Sequence, residues 1–297
     1  MKKMTKFFAL ALLAGAMVSC STEDIAPSTQ NGKVAVQFTG GISVNTRAAG
    51  LAWADGDMIG IFMTGTKQPL SADAIQEGVD NICYQTSGSL GFSPVSGGKT
   101  VFFPIDGDVD FYSYYPQTTV NDYKVALDVT DQRKQEAIDF MYAKTEGCNK
   151  ATPQVFLKFY HKLSNLVLDV QPGNGLTQED LKKMTVKVKD QNTKATFNLV
   201  DGTISGEGNP TDIMMKTTQA GKLYEAILLP TEEASRVIEF DLNNGYDAPF
   251  VWTMPEKLEG GNRYHYTVVK LSRSAVDISG NIEPWIKAGD DNEHIAQ

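Results

Sequence analysis

Most of this chain alternates between apolar and polar positions. In "KVAVQFTGGISVNTR" Val34, Val36 and Phe38 fall on one side, Gly40-Gly41 interrupts the run, and Ile42 and Val44 continue it. Period-two alternation of this kind predicts a half-buried strand. "DMIGIFM", "TVFFP", "VDFYSYYP", "KVALDV" and "IDFMYA" follow, separated by the turn signals "DGD", "SGGK", "DGD" and "VND". After "NKATPQ" comes "VFLKFYHKLSNLVLDV", with Leu166, Leu168 and Val170 on one face. The second half repeats the habit in "MTVKVKD", "KATFNLVDGTI", "LYEAILLP", "RVIEFDLNNGYDAPFVWTMP" and "RYHYTVVKL".

Within that last set "NNG", Asn243 to Gly245, predicts a hairpin, because Asn and Gly tolerate positive φ. One helical patch stands out, "LTQEDLKKM", where Thr177 caps the start and Asp180 reaches back three residues on. Many short strands with almost no helix predict an all-β fold of sandwiches or barrels rather than a parallel α/β sheet. The loop at Thr152 to Gln154 divides the chain into residues 33–152 and 153–297. No short repeat period appears.

The first residues depart from this pattern. Lys2, Lys3 and Lys6 precede "FFALALLAGAMV", an apolar run from Phe7 to Val18 that is too short to span a bilayer and suits a secretory signal. Small residues lead into Cys20, as in a bacterial lipoprotein signal, where lipid joins the cysteine and the chain is cut before it. Met17 and Ser19 depart from the commoner residues of that signal, and a cut after Ala14 to Ala16 is the rival reading. Residues 1–19 are thus read as the signal peptide and 20–32, which lack an apolar pattern, as a tether.

Loss of the leader removes three lysines and no acids, so the net charge of −9 becomes −12. So acidic a chain has no electrostatic reason to bind nucleic acid. Cys83 and Cys148 remain, as a disulfide or as two buried thiols; both suit an exported chain.

The motifs of zinc sites, nucleotide loops and nucleophile elbows are missing from the sequence, so neither a metal nor another cofactor is expected, and no motif supports an enzyme. His161 and His265 sit inside strand-like runs and His294 in the tail; structural histidines are expected. Asp106, Asp108 and Asp110 imitate the start of a calcium loop, but Phe111 and Gln117 stand where that loop needs glycine and glutamate. "FYSYYP" places Phe111, Ser113 and Tyr115 on one face and Tyr112 and Tyr114 on the other. Core or inter-domain packing is the expectation for both faces.

"NTRAAGLAWADGDMIGIFM" (Asn45 to Met63), "FYSYYP", "DFMYA", "FYHKLSNLVLDV", "YEAILLP", "GGNRYHYTVVKL" and "ISGNIEPW" occur in that order across about residues 33 to 286. Together they resemble the fimbrillins, the subunits of the lipoprotein-derived type V pili of Bacteroidales. Glu23 and Asp24, close behind Cys20, are similar to the acidic signal that sends lipoproteins of that phylum to the cell surface.

The resemblance implies two transthyretin-like β-sandwich domains. It implies a lipid such as palmitate on Cys20, holding the chain to the outer membrane, and then a cut between Arg47 and Ala48 by a surface protease of arginine or trypsin-like specificity. The cut removes the strand of residues 33–47, with Val34, Val36, Phe38, Ile42 and Val44, and a strand from another pilin subunit fills the groove. The polymer is a fimbrium that adheres to host or bacterial surface ligands. Beyond Trp285 the tail "IKAGDDNEHIAQ" is a poor donor strand; "SAVDISGNIEPWI" is the other candidate, made irregular by Gly280 and Pro284. The alternative function is a monomeric surface lipoprotein that binds glycans through exposed aromatics such as Trp53, Trp252 or Tyr114.

Overall fold

The computed structural model describes residues 28–42, 53–272 and 275–285. Cys20, Glu23, Asp24, Val44, Arg47 and Ala48 lie outside the described residues. The chain opens with a small hairpin, β1 (Thr29–Gln30) and β2 (Lys33–Val34), followed by β3 (Gln37–Ile42). Next come β4 (Asp55–Gly65), β5 (Ile82–Ser87), β6 (Gly91–Pro94), β7 (Val109–Tyr115), β8 (Lys124–Asp128), β9 (Met141–Cys148) and β10 (Gln154–His161). The second half holds β11 (Ser164–Pro172), the helical turn α1 (Gln178–Leu181), β12 (Thr185–Asn198), β13 (Thr203–Met214), β14 (Lys216–Gln219) and β15 (Leu223–Leu228). It ends in β16 (Arg236–Asp241), β17 (Phe250–Met254), β18 (Asn262–Ser272) and β19 (Ala275–Pro284). The fold is all-β, as the alternation predicts.

Seven strands of the first unit close on themselves in the order β10-β3-β6-β5-β4-β7-β9, so the sandwich is a closed barrel. The second unit faces one sheet, β14-β15-β11-β18-β19, with another, β13-β12-β16-β17. Pairing crosses the expected division at 152/153 both ways. β10, after it, pairs with β3 and β9, while β8, before it, joins β12 of the second unit.

β7 shows how the two units meet. Each of its residues is buried. Val109, Phe111 and Tyr115 face the barrel core, while Tyr112 and Tyr114 join the core of the second unit together with Phe62 and Phe140. A strand covered on both sides does not alternate between apolar and polar, and the two polar residues of "VDFYSYY", Asp110 and Ser113, are buried with hydrogen-bond partners. Tyr112 and Tyr114 are therefore inter-unit packing, and Tyr114 is unavailable as a glycan platform.

The helical turn forms as its capping pattern predicts: Thr177 N–H donates to Asp180 Oδ2 at 2.7 Å, and Asp180 N–H to Thr177 Oγ1 at 3.4 Å. Asn243 (φ 53°) and Gly245 (φ 76°) take positive φ in the loop joining the antiparallel pair β16 and β17.

Candidate functional site

β3 and the seat it fills form the candidate site. Its backbone is held on both sides. It runs parallel to β10 from Gln37 opposite Gln154 to Ile42 opposite Phe159, and antiparallel to β6 at Phe38–Phe92 and Thr39–Gly91. Just ahead of it, Val36 N–H donates to Val101 O at 3.0 Å and Phe103 N–H to Val34 O at 2.9 Å. The segment therefore pairs with three stretches remote in sequence.

Side chains follow the predicted period. Val36, Phe38 and Ile42 are buried and Val34 is half-buried. Phe38 meets Tyr84 and Phe111 edge-on, with ring centroids 5.2 and 5.1 Å apart. Burial of each such side chain contributes about 1.5–3 kcal/mol. The Tyr84 hydroxyl accepts from Val101 N–H at 2.8 Å, and burial raises its pKa, so the phenol stays neutral in the wall of the seat.

Gly40-Gly41 is no interruption, contrary to the sequence reading. Gly40 is buried on the same side as Phe38, and a Cβ there would lie 2.8 Å from Phe92 Cε2 and 3.2 Å from Phe159 Cε2. Gly41 faces the other way, where a Cβ would meet Phe156 Cζ at 2.7 Å. Two glycines let aromatic rings close over both faces of an uninterrupted strand. Trp53 Nε1–H donates to Gly40 O at 2.7 Å, and its ring packs against Phe92, Phe159 and Tyr115. Trp53 is buried at 2 % exposure, so it too is lost to the glycan reading. Trp252 is half-buried and packs edge-on against Tyr266 at 4.8 Å.

The other candidates have structural work. The Asp110 carboxylate accepts from Thr66 Oγ1 at 3.0 Å, Lys67 N–H at 2.9 Å and Gly147 N–H at 2.9 Å, which ties the turn after β4 to the end of β9. Among the described residues no cluster of His, Cys, Asp and Glu is arranged to hold a metal ion. His161 Nδ1 lies 2.7 Å from Asp139 Oδ1, and its ring stacks on Trp285 at 4.2 Å. Cys83 and Cys148 are free thiols, both raised in pKa by burial, Cys148 to about 11 with help from Asp110 and Asp108. A cleft of about 1030 Å³ in the second unit is lined by Lys189, Glu233, Arg236 and Glu259 among others. Its buried guanidinium, Arg236, is engaged by Gln191 Oε1 at 3.0 Å, Glu256 O at 2.8 Å and Glu233 O at 2.6 Å.

A sequence-family profile described as fimbrillin-like matches residues 46–285. The chain belongs to the fimbrillin-like family. A Bacteroides uniformis protein provisionally named fimbrium subunit Fim1C is 33 % identical over 293 residues, covering 93 % of each chain. Among solved structures, a provisionally described cell adhesion protein of B. uniformis aligns with TM-score 0.73 and 32 % identity, over 86 % of this chain and 100 % of that one. A second, from Bacteroides ovatus, aligns with TM-score 0.69 and 26 % identity, over 86 % and 98 %. The fimbrillin-like match begins at residue 46, just past β3.

Proposed function

We propose that this chain is the structural subunit of a cell-surface fimbria, with no catalytic role, assembled by exchange of the strand β3. It is exported as a lipoprotein held to the outer membrane through Cys20, with Glu23 and Asp24 directing it outward. An arginine- or trypsin-like surface protease cuts between Arg47 and Ala48. The cut separates β3 from the rest of the chain, and a strand from another pilin subunit takes its seat. The resulting fibre supports adhesion.

One observation carries the reading: the strand that closes the barrel precedes Arg47 in sequence, and everything it packs against follows. Loss of β3 leaves β6 and β10 with unpaired backbone and uncovers an apolar seat, which favours addition of a strand. Fimbrillin-like membership and the fimbrium and adhesion names of the relatives support it further.

The test is to treat the purified protein with an arginine-specific protease and run it unboiled on an SDS gel. Cleaved wild type gives a ladder of oligomers and Arg47→Ala gives none. Clean cleavage at Arg47 that leaves only monomers overturns the reading.

A further inference from the structure

Every second residue of β10 points away from the barrel core. Val155, Leu157, Phe159 and His161 are buried, while Gln154, Phe156, Lys158 and Tyr160 face out. Two of the outward four are aromatic, Phe156 at 52 % exposure and Tyr160 at 41 %. The Phe156 ring lies over β3 where Gly41 has no side chain to hold it off, since a Cβ there would meet its Cζ at 2.7 Å and its Cε2 at 3.2 Å. That ring is held from behind and open in front.

The lysine–ring contacts of the described residues gather on the same wall. Lys158 Nζ lies 5.2 Å from the centre of the Tyr160 ring, and Lys144 Nζ 5.1 Å from that of Tyr112. Lys162 Nζ lies 6.0 Å from the ring centre of Tyr142, which stands opposite Tyr160 on β9, and 5.6 Å from that of Phe197. Lys144 is paired with Glu146 at 2.6 Å. Lys158 and Lys162 flank Tyr160, and among the described residues they have ring faces in place of a carboxylate partner. In a chain of net charge −9 this is a local reversal of sign. Lys162 is half-buried and burial lowers its pKa, so an anion beside it would stabilise its charge.

We infer that the outer wall of β9 and β10 binds a short acidic oligosaccharide, its sugar rings on Phe156 and Tyr160 and its carboxylate or sulfate groups between Lys158 and Lys162. The electron-rich faces of the two rings suit the C–H faces of sugars, and the ammonium groups supply charge-assisted hydrogen bonds to the anion. Four residues of strand separate the rings by about 13 Å, which leaves room for an oligosaccharide rather than a single sugar. The cores of protein interfaces are depleted in lysine, so a protein partner suits the wall less well. The acids elsewhere on the surface are screened beyond about 8 Å at physiological ionic strength, so a short anion meets the lysines and a long polyanion meets the acids as well. The inference names a ligand class for the proposed adhesive role. It stands apart from strand exchange, because the wall is complete in the uncut chain.

The test uses uncut full-length protein, titrated by calorimetry with tetragalacturonic acid, a heparin tetrasaccharide, neutral maltotetraose and a short single-stranded DNA. At least one acidic tetrasaccharide binds, the comparison of the two showing whether carboxylate or sulfate is preferred, and maltotetraose binds at least about tenfold more weakly. Tyr160→Ala and Lys158→Gln each weaken binding of the acidic sugar roughly tenfold, while circular dichroism stays that of wild type because both side chains lie on the surface. Tyr246→Ala, which removes an exposed aromatic from the loop between β16 and β17, leaves the affinity unchanged. Binding of neither acidic sugar, equal binding of maltotetraose, or unchanged affinity in the Tyr160 and Lys158 variants overturns the inference. DNA bound as tightly as the acidic sugars makes the wall a general polyanion surface and overturns it too. None of these outcomes bears on the oligomer ladder that tests strand exchange.

Discussion

The two units treat their sheet edges differently. In the first, every barrel strand has a neighbour on each side, and β3 is bonded to β6 and β10 at once. In the second, among the described residues, the sheets end in β14, β19, β13 and β17, and β19 has the single partner β18. Removing β3 thus opens two edges and uncovers buried side chains, while removing β19 opens one edge and uncovers residues already half exposed. A strand with two partners is hard to lose, so its loss has to be forced, as a cut in the covalent chain would do. One with a single partner is released by ordinary edge fraying.

This contrast is broken most directly in the core. Phe38→Ala is expected to lower stability by about 3–5 kcal/mol in urea unfolding, the range for a buried phenylalanine, whereas Ile278→Ala on the edge strand falls near 1 kcal/mol. Equal effects would mean that β3 is no more integral than β19. Next in size, Gly40→Ala is expected to cost about 1–3 kcal/mol by overpacking against Phe92 and Phe159. The paired substitution Phe92→Leu should recover part of that loss in a double-mutant cycle. Asp110→Ala, which strands Thr66, Lys67 and Gly147, is expected to cost about 1–3 kcal/mol and to speed amide exchange at Lys67 and Gly147 without loosening β3.

Smaller still is a pH effect. Burial holds the Cys148 thiol near 11, above its ordinary value of 9.0. The neutral thiol is thus favoured by the fold, and this contribution is intact below about pH 9 and lost as pH rises through 11. Alkylation of Cys148 by iodoacetamide is expected to lag behind an unfolded control at pH 9 and to catch up above pH 11. A rate equal to the control at pH 9 would place the thiol in solvent. Smallest of all, Tyr246→Ala, at a loop tip with 94 % exposure, should change stability by less than about 0.5 kcal/mol.

What the chain reveals without its fold follows from which signals are local. Alternation marks which residues turn inward, so Val36, Phe38 and Ile42 were legible, as were the two faces of β7 and the Thr177–Asp180 cap. Partners are not local. The segment around β3 pairs with residues near 91, 101 and 154, and β8 leaves its neighbours in sequence to join β12. Periodicity carries none of that, so the division at 152/153 fell ahead of β10. Glycine misled twice for one reason: Gly40 and Gly280 read as irregularities because a missing side chain leaves no pattern, although each lies where a neighbouring ring or backbone excludes a Cβ.

The link after β10 has a mechanical consequence. Only Lys162 and Leu163 separate β10 from β11. Leu163 is fully buried, its carbonyl accepts from Gly261 N–H at 2.8 Å, and Lys162 N–H donates to Phe140 O at 2.9 Å. A pull on any strand seated beside β10 therefore passes along covalent backbone into the middle of the second unit's sheet. Tension is carried through the chain itself, and the side-chain contacts between the units need only keep the load path straight.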